Sequence, residues 1–253
     1  MSSVALEGVG FAYPGGTPVL DGVTARAEGQ EVIAILGPNG AGKSTLLDIV
    51  AGLKRAGAGR CLLDGRDAAA MSREEAARVV AHVPQALPGE VPFTVEEVIL
   101  TGRIAHGGGL YESEEDYAAL DRAIGLARLE GFRGRRYAAL SGGEKQRVLV
   151  AAALCQETPV LLLDEPGAHL DPENEAALWE LLHGAGRLVL MVTHHLALAA
   201  QNADRVWLLD RGRLVADGAP CDAMRPADLE RVFHVPFHWH QNGEGRVFLT
   251  YGR

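Results

Sequence analysis

"EVIAILGPNGAGKSTLLDIVAGL", residues 31–53, carries three patterns in one line. An apolar run ends at Leu36, a stretch with glycines at 37, 40 and 42 follows, and "KSTLLDIVAGL" then places apolar residues at helical spacing. This is the strand, loop, helix order of a βα unit. The loop matches G-x-x-x-x-G-K-[ST] and has the strand before it and helix after it that such a match requires. Glycines at these positions let successive backbone amides converge on phosphate oxygens, and the helix N-terminus adds the positive end of its dipole. Lys43 then reaches the β- and γ-phosphates as a point charge, and Ser44 places its hydroxyl on Mg²⁺. The competing reading is a bare Gly/Pro turn between strand and helix.

Complementary chemistry lies further along. "VLLLDEP", residues 160–166, is an apolar strand ending in Asp164, which puts a carboxylate at the carboxyl edge of a sheet where it can hold a magnesium shell. Glu165 is then placed to polarise an attacking water. Adjacent carboxylates beside a polyphosphate are costly unless a metal shares the site, so the pair itself predicts Mg²⁺. "VTHH", residues 192–195, follows the next apolar run, which sets His194 at a neighbouring strand end. Taken alone it reads as a structural histidine or as a γ-phosphate contact. Gln85, after "AHVP", either senses metal and water or bonds its own loop. Tyr13 either stacks a flat base or is a lone aromatic near an edge strand.

The runs "PVLLLD", "RLVLMV" and "RVWLLD" have the continuous apolar character of strands buried on both faces of a parallel sheet, with helices near 173–185 and 196–202. Residues 87–156 differ, because helical patterns dominate and no buried strand is evident. They read as a helical lobe inserted into a sheet domain. Within it, "LSGGEKQR" at 140–147 forms a capping box of Ser141 and Glu144, a spacing repeated at Ser72/Glu75, Thr94/Glu97 and, with aspartate, Ser113/Asp116. Only this box carries two glycines in its first turn, each costing up to about 1 kcal/mol relative to alanine. Gly142 and Gly143 make sense if an oxyanion approaches the bare amides beside Ser141.

Composition bounds the answer. A chain of 253 residues, 47% hydrophobic, is long enough for a sizeable core, and its net charge of −9 speaks against a nucleic-acid or anionic-membrane surface. The longest uninterrupted apolar run, 148–155, is far short of the roughly 18 to 20 residues that span a bilayer. The start lacks a secretory pattern and the three cysteines form no C-x-x-C pair, so a cytoplasmic location is expected. His238 and His240 read as an ordinary strand, and Arg133, Arg135 and Arg136 as a solvated loop.

Taken together, Tyr13, "GPNGAGKST", Gln85, "LSGGEKQR", "VLLLDEP", the "HLD" of 169–171 and His194 resemble, in order, the ATP-binding cassette ATPases. The resemblance implies an α/β fold in one domain, 1–253: a P-loop NTPase core of mostly parallel sheet (1–86 and 157–253), an N-terminal antiparallel β subdomain, and a helical subdomain (87–156). It implies adenine on Tyr13, triphosphate on Gly37, Pro38, Asn39, Gly40, Ala41, Gly42, Lys43, Ser44 and Thr45, and Mg²⁺ near Ser44, Gln85 and Asp164. Glu165 is the implied catalytic base and His194 the γ-phosphate contact. Ser141, Gly142 and Gly143 of one copy then close over the nucleotide of another, in a homodimer. The sequence departs from the family at Gly167, Ala168 and His195, the last standing where aspartate is common. "MSREEAARVVAHVPQ" and "TVEEVILTGRIAH" look like the ATPases of importers for iron–siderophore complexes, haem or cobalamin. That likeness implies a separate membrane permease, a substrate-binding protein, and a place at the inner face of the membrane. A soluble cassette ATPase of cluster assembly or translation is the alternative.

Overall fold

The computed structural model describes residues 2–84, 92–106, 113–168, 170–241 and 247–252. The chain opens with strands β1 (Ser3–Ala12), β2 (Pro18–Glu28) and β3 (Val32–Leu36), and helix α1 (Lys43–Val50) follows directly. Next come β4 (Ala58–Leu63), β5 (Arg66–Asp67), α2 (Arg73–Ala77) and β6 (Val80–Val83). Helices α3 (Val95–Leu100), α4 (Glu114–Leu126) and α5 (Gly142–Cys155) come before the chain returns to strand in β7 (Val160–Asp164). After it run α6 (Pro172–Gly184), β8 (Leu188–Val192), α7 (Leu196–Asn202), β9 (Arg205–Asp210) and β10 (Arg213–Gly218). Helices α8 (Pro220–Ala223) and α9 (Pro226–Phe233) lead to a hairpin of β11 (Phe237–Gln241) and β12 (Val247–Tyr251).

Six strands form the central sheet in the order β10-β9-β3-β8-β7-β6, parallel except for β10, which pairs antiparallel with β9 at the edge. A second sheet, β2-β1-β4-β5, is antiparallel. The pleat of β3 shows why its whole run is apolar. Val32, Ala34 and Leu36 enter the core shared with α3, α4 and α5, while Ile33 and Ile35 enter the core shared with α1 and the antiparallel sheet. Strands β7 and β8 divide in the same way, so continuous Val/Leu runs are required where a sheet is covered on both faces.

All four expected capping boxes form: Ser72 with Glu75, Thr94 with Glu97, Ser113 with Asp116 and Ser141 with Glu144. In each, side chains satisfy amides that the helix itself cannot. Helix α1 has neither a side-chain cap nor an acid in its first turn, and the same is true of α7. Parallel strands all point the same way, so the segments leaving β3, β7 and β8 emerge at one edge of the sheet. No described helix is long and apolar enough to cross a membrane.

Candidate active site

The loop leaving β3 is held in a shape that only glycine permits at two points. Gly37 has φ +150°, and a Cβ there would lie 2.2 Å from the Leu209 carbonyl oxygen. Gly42, the N-cap of α1, has φ +98°, and a Cβ would meet Leu20 Cδ2 at 2.7 Å and the Val19 carbonyl oxygen at 2.8 Å. Backbone of β2 and β9 therefore presses the loop from outside, and the first-turn amides of α1 are left without a capping side chain. Unsatisfied amides at a helix start can accept an anion.

Lys43 is only 6% exposed and folds back over the loop, donating from Nζ to the carbonyl oxygens of Gly37 (2.8 Å) and Pro38 (3.0 Å). Burial pushes its pKa down, and the carboxylates of Glu165 and Asp164 pull it back up. An open cleft of about 200 Å³ lies here, lined by Val19, Asn39, Gly40, Gly42, Lys43, Ser44, Thr45 and Glu165. Most of the phosphate loop and the second acid of "VLLLDEP" thus share one cavity. Pro38 lies beside it as the acceptor for Lys43, and Ala41 is buried in the core beneath.

Asp164 ends β7. Burial raises its pKa most, a hydrogen bond from the Ser44 side chain lowers it, and the neighbouring Glu165 charge raises it again. Oδ1 of this carboxyl is buried with no hydrogen-bond partner. Glu165 takes φ +52°, a left-handed turn that a glutamate rarely adopts, while its amide bonds the Val192 carbonyl at the end of β8 (3.0 Å). Its Oε1 lies 2.6 Å from His194 Nε2. A carboxylate only accepts, so Nε2 carries the proton. The next residue, His195, points elsewhere: its Nδ1 pairs with Glu175 Oε1 on α6.

Tyr13 lies in the turn after β1, 47% exposed, with its ring edge-on to Phe11 at 5.1 Å and Lys54 Nζ 5.7 Å from its centroid. It does not line the cleft around Lys43. Gln85 lies outside the described residues. Ser141 does not line the cleft either; it stands at the exposed start of α5, where its backbone N–H donates to Glu144 Oε2 at 2.7 Å. Of its two glycines only Gly142 is open, with nothing within 4 Å of where a Cβ would stand. Gly143 is buried, and a Cβ there would lie 2.9 Å from the Asn174 side chain of α6. Sequence reading missed Asn174 and Glu175. Both look like ordinary first-turn polar residues of α6, and no spacing links them to residues 143 or 195.

Comparison with known proteins shows the family of the chain. The ABC transporter family model matches residues 20–168. Hemin import ATP-binding protein HmuV of Streptomyces coelicolor is 44% identical over 225 residues, covering 88% of this chain and 80% of that protein. A chain of a transporter described as of the metal-chelate type, in an inward-facing conformation, superposes with a TM-score of 0.87 at 25% identity, covering 100% of this chain and 98% of that one. A dimeric ATP-binding cassette in a post-hydrolysis state, bound to ADP and Pi, superposes at 0.74 with 26% identity, covering 86% of this chain and 98% of that one. With a phosphate loop, two strand-end acids and a histidine meeting at one sheet edge, the chain belongs to the ABC transporter family, as an ATP-hydrolysing subunit.

Proposed function

We propose that two copies of this chain enclose two MgATP molecules and drive a membrane permease that imports a metal chelate of the haem, siderophore or cobalamin kind, delivered by a substrate-binding protein. The chain then sits at the inner face of the membrane through that permease. The observation that carries the chemistry is the uncapped start of α1 with Lys43 folded over it and Glu165 in the same cleft. The import reading rests on the likeness to the hemin import protein and to the metal-chelate type transporter.

In this reading the triphosphate occupies residues 37–45, and Lys43 exchanges its two carbonyl acceptors for phosphate oxygens. Adenine stacks on the exposed ring of Tyr13. Glu165 takes a proton from the attacking water, and His194, donating to Glu165 from Nε2, fixes that carboxylate and faces the γ-phosphate. Ser44, Gln85 and Asp164 would hold Mg²⁺; the unpartnered Asp164 Oδ1 beside the Ser44 hydroxyl suits a hard cation that takes oxygen ligands. Held by these residues, such an ion would supply charge neutralisation at the phosphate oxygens.

Residues 1–86 and 157–253 act as the nucleotide-binding core and 87–156 as a helical subdomain that presents Ser141 and Gly142. Because these two are exposed and do not line the cleft around Lys43, a second copy supplies them to each nucleotide. Glu165→Gln tests the reading. It should abolish steady-state hydrolysis, retain ATP binding and trap a dimer; near-normal turnover in that variant removes the assignment.

A further inference from the structure

Two adjacent histidines engage two glutamates from the segment opposite. His194 bonds Glu165, and His195 bonds Glu175 one helical turn into α6. The first contact belongs to the proposed chemistry. The second involves a buried carboxylate: Glu175 is 7% exposed, and its side chain is paired with His195. A buried carboxylate is costly unless paired.

The surroundings hold this pair in place. The His195 amide donates to Thr193 Oγ1 at 3.1 Å, and the Thr193 amide to the Ile35 carbonyl at the end of β3 at 3.3 Å. On the other side the Ala168 amide bonds the Glu165 carbonyl (3.1 Å), closing a turn that brings Gly167 over α6. A Cβ on Gly167 would lie 3.1 Å from Glu175 Oε1, so the absent side chain makes room for the carboxylate. The segment after Glu165 and the segment around His194 are therefore joined twice, once at the reacting edge and once beneath it.

We propose that Glu175 and His195 are a positioning pair that fixes the loop bearing His194 against the turn after Glu165, and so sets the hydrogen bond between His194 and Glu165. Neither residue touches nucleotide in this role. The proposal rests on the reading of Glu165 and His194 given above. A misplacement of about 1 Å in a reacting group lowers rate far more than it lowers binding, so the expected signature is a loss in kcat with KM nearly unchanged.

The test is a double-mutant cycle on the 253-residue chain, measuring MgATP hydrolysis per nucleotide-binding site, with binding sites counted by titration so that any misfolded fraction is excluded. Glu175→Gln and His195→Gln should each lower kcat about tenfold with KM for ATP within about twofold, and the double variant should be no slower than either single one. His195→Asp, which sets a like charge against Glu175, should be slower than His195→Gln. Adding Glu175→Gln to it should restore the rate of the single variant. Losses that multiply, or a charge effect that Glu175→Gln does not relieve, overturn the proposal. Glu165→Gln is assayed alongside: turnover that survives it overturns the active-site reading and the pair with it. Turnover lost there but untouched by Glu175→Gln and His195→Gln overturns the pair alone.

Discussion

His194 Nε2 stands 2.6 Å from Glu165 Oε1, so the segments leaving two neighbouring parallel strands meet in one hydrogen bond over the phosphate loop. In the proposed mechanism this bond joins the base to the group that orients it. His194→Ala should lower kcat by roughly a hundredfold or more, within the range of lost acid–base assistance, while nucleotide affinity stays close to that of the parent. Phosphate release and equilibrium binding of an ATP analogue separate the two effects. An unchanged kcat would leave the contact without a catalytic meaning.

Asp164 carries a raised pKa chiefly because it is buried. For an acid raised above its unfolded value, the proton is held more tightly in the folded state, so the associated stability is present at low pH and lost as pH rises through the raised value. Without magnesium, Asp164→Asn should therefore stabilise the fold at neutral pH by about 1 kcal/mol, a rise of roughly 2–4 °C in thermal midpoint for a chain of this size. In the proposed site, magnesium competes with the proton for Asp164. Metal-dependent ATP binding should fall as pH drops through that raised value, and Asp164→Asn should remove the metal dependence. Thermal melts and ATP titrations, each with and without Mg²⁺ over a series of pH values, read the two effects.

Glycines of the loop after β3 and of the start of α5 should respond in opposite directions. Gly37→Ala places a Cβ 2.2 Å from the Leu209 carbonyl oxygen at φ +150°, and should cost about 2–4 kcal/mol in chemical denaturation. Gly142→Ala meets nothing within 4 Å, and should stabilise α5 by up to about 1 kcal/mol. The same change should lower ATP turnover if an oxyanion approaches that helix start. Stability gained together with activity lost distinguishes a recognition glycine from a packing one, and turnover unaffected by Gly142→Ala would end its assignment.

The thiols divide by environment. Burial pushes the Cys61 thiol up to about 12 and Cys155 to about 11, whereas Cys221 is exposed on α8. Reaction proceeds through the thiolate. A thiol reagent at neutral pH should label one site in the native chain and three in denaturant, with Cys221→Ser abolishing the native signal. Rapid native labelling at Cys61 or Cys155 would contradict the packing of both cores.

What the sequence disclosed follows from how local each feature is. The phosphate loop, Asp164 and Glu165 are legible because their chemistry lies within a few residues of a strand end, and the capping boxes because three-residue spacing decides them. The apolar runs of β7 and β8 are legible because both faces of the sheet are covered. Partner choice across the fold is not local. Nothing in "THH" tells which histidine meets Glu165, because that depends on the direction each side chain leaves the turn. Residues 143 and 174 are joined only by the packing of α5 on α6, so the burial of Gly143 gives no sign in its own helix. The positive φ of Glu165 likewise arises from its amide bond to Val192 on the neighbouring strand and not from its own side chain.

That Ser141 is not among the residues lining the cleft around Lys43 has a genetic consequence. In the proposed dimer each nucleotide is served by the lysine of one copy and the serine of the other. A chain altered at Lys43 and a chain altered at Ser141 should each be inactive as pure populations, because both composite sites would carry a lesion. Mixed, they form a heterodimer in which both lesions fall in one site and the other site is wholly intact. Two dead alleles expressed together should complement, and the regained activity should reach at most the output of a single site.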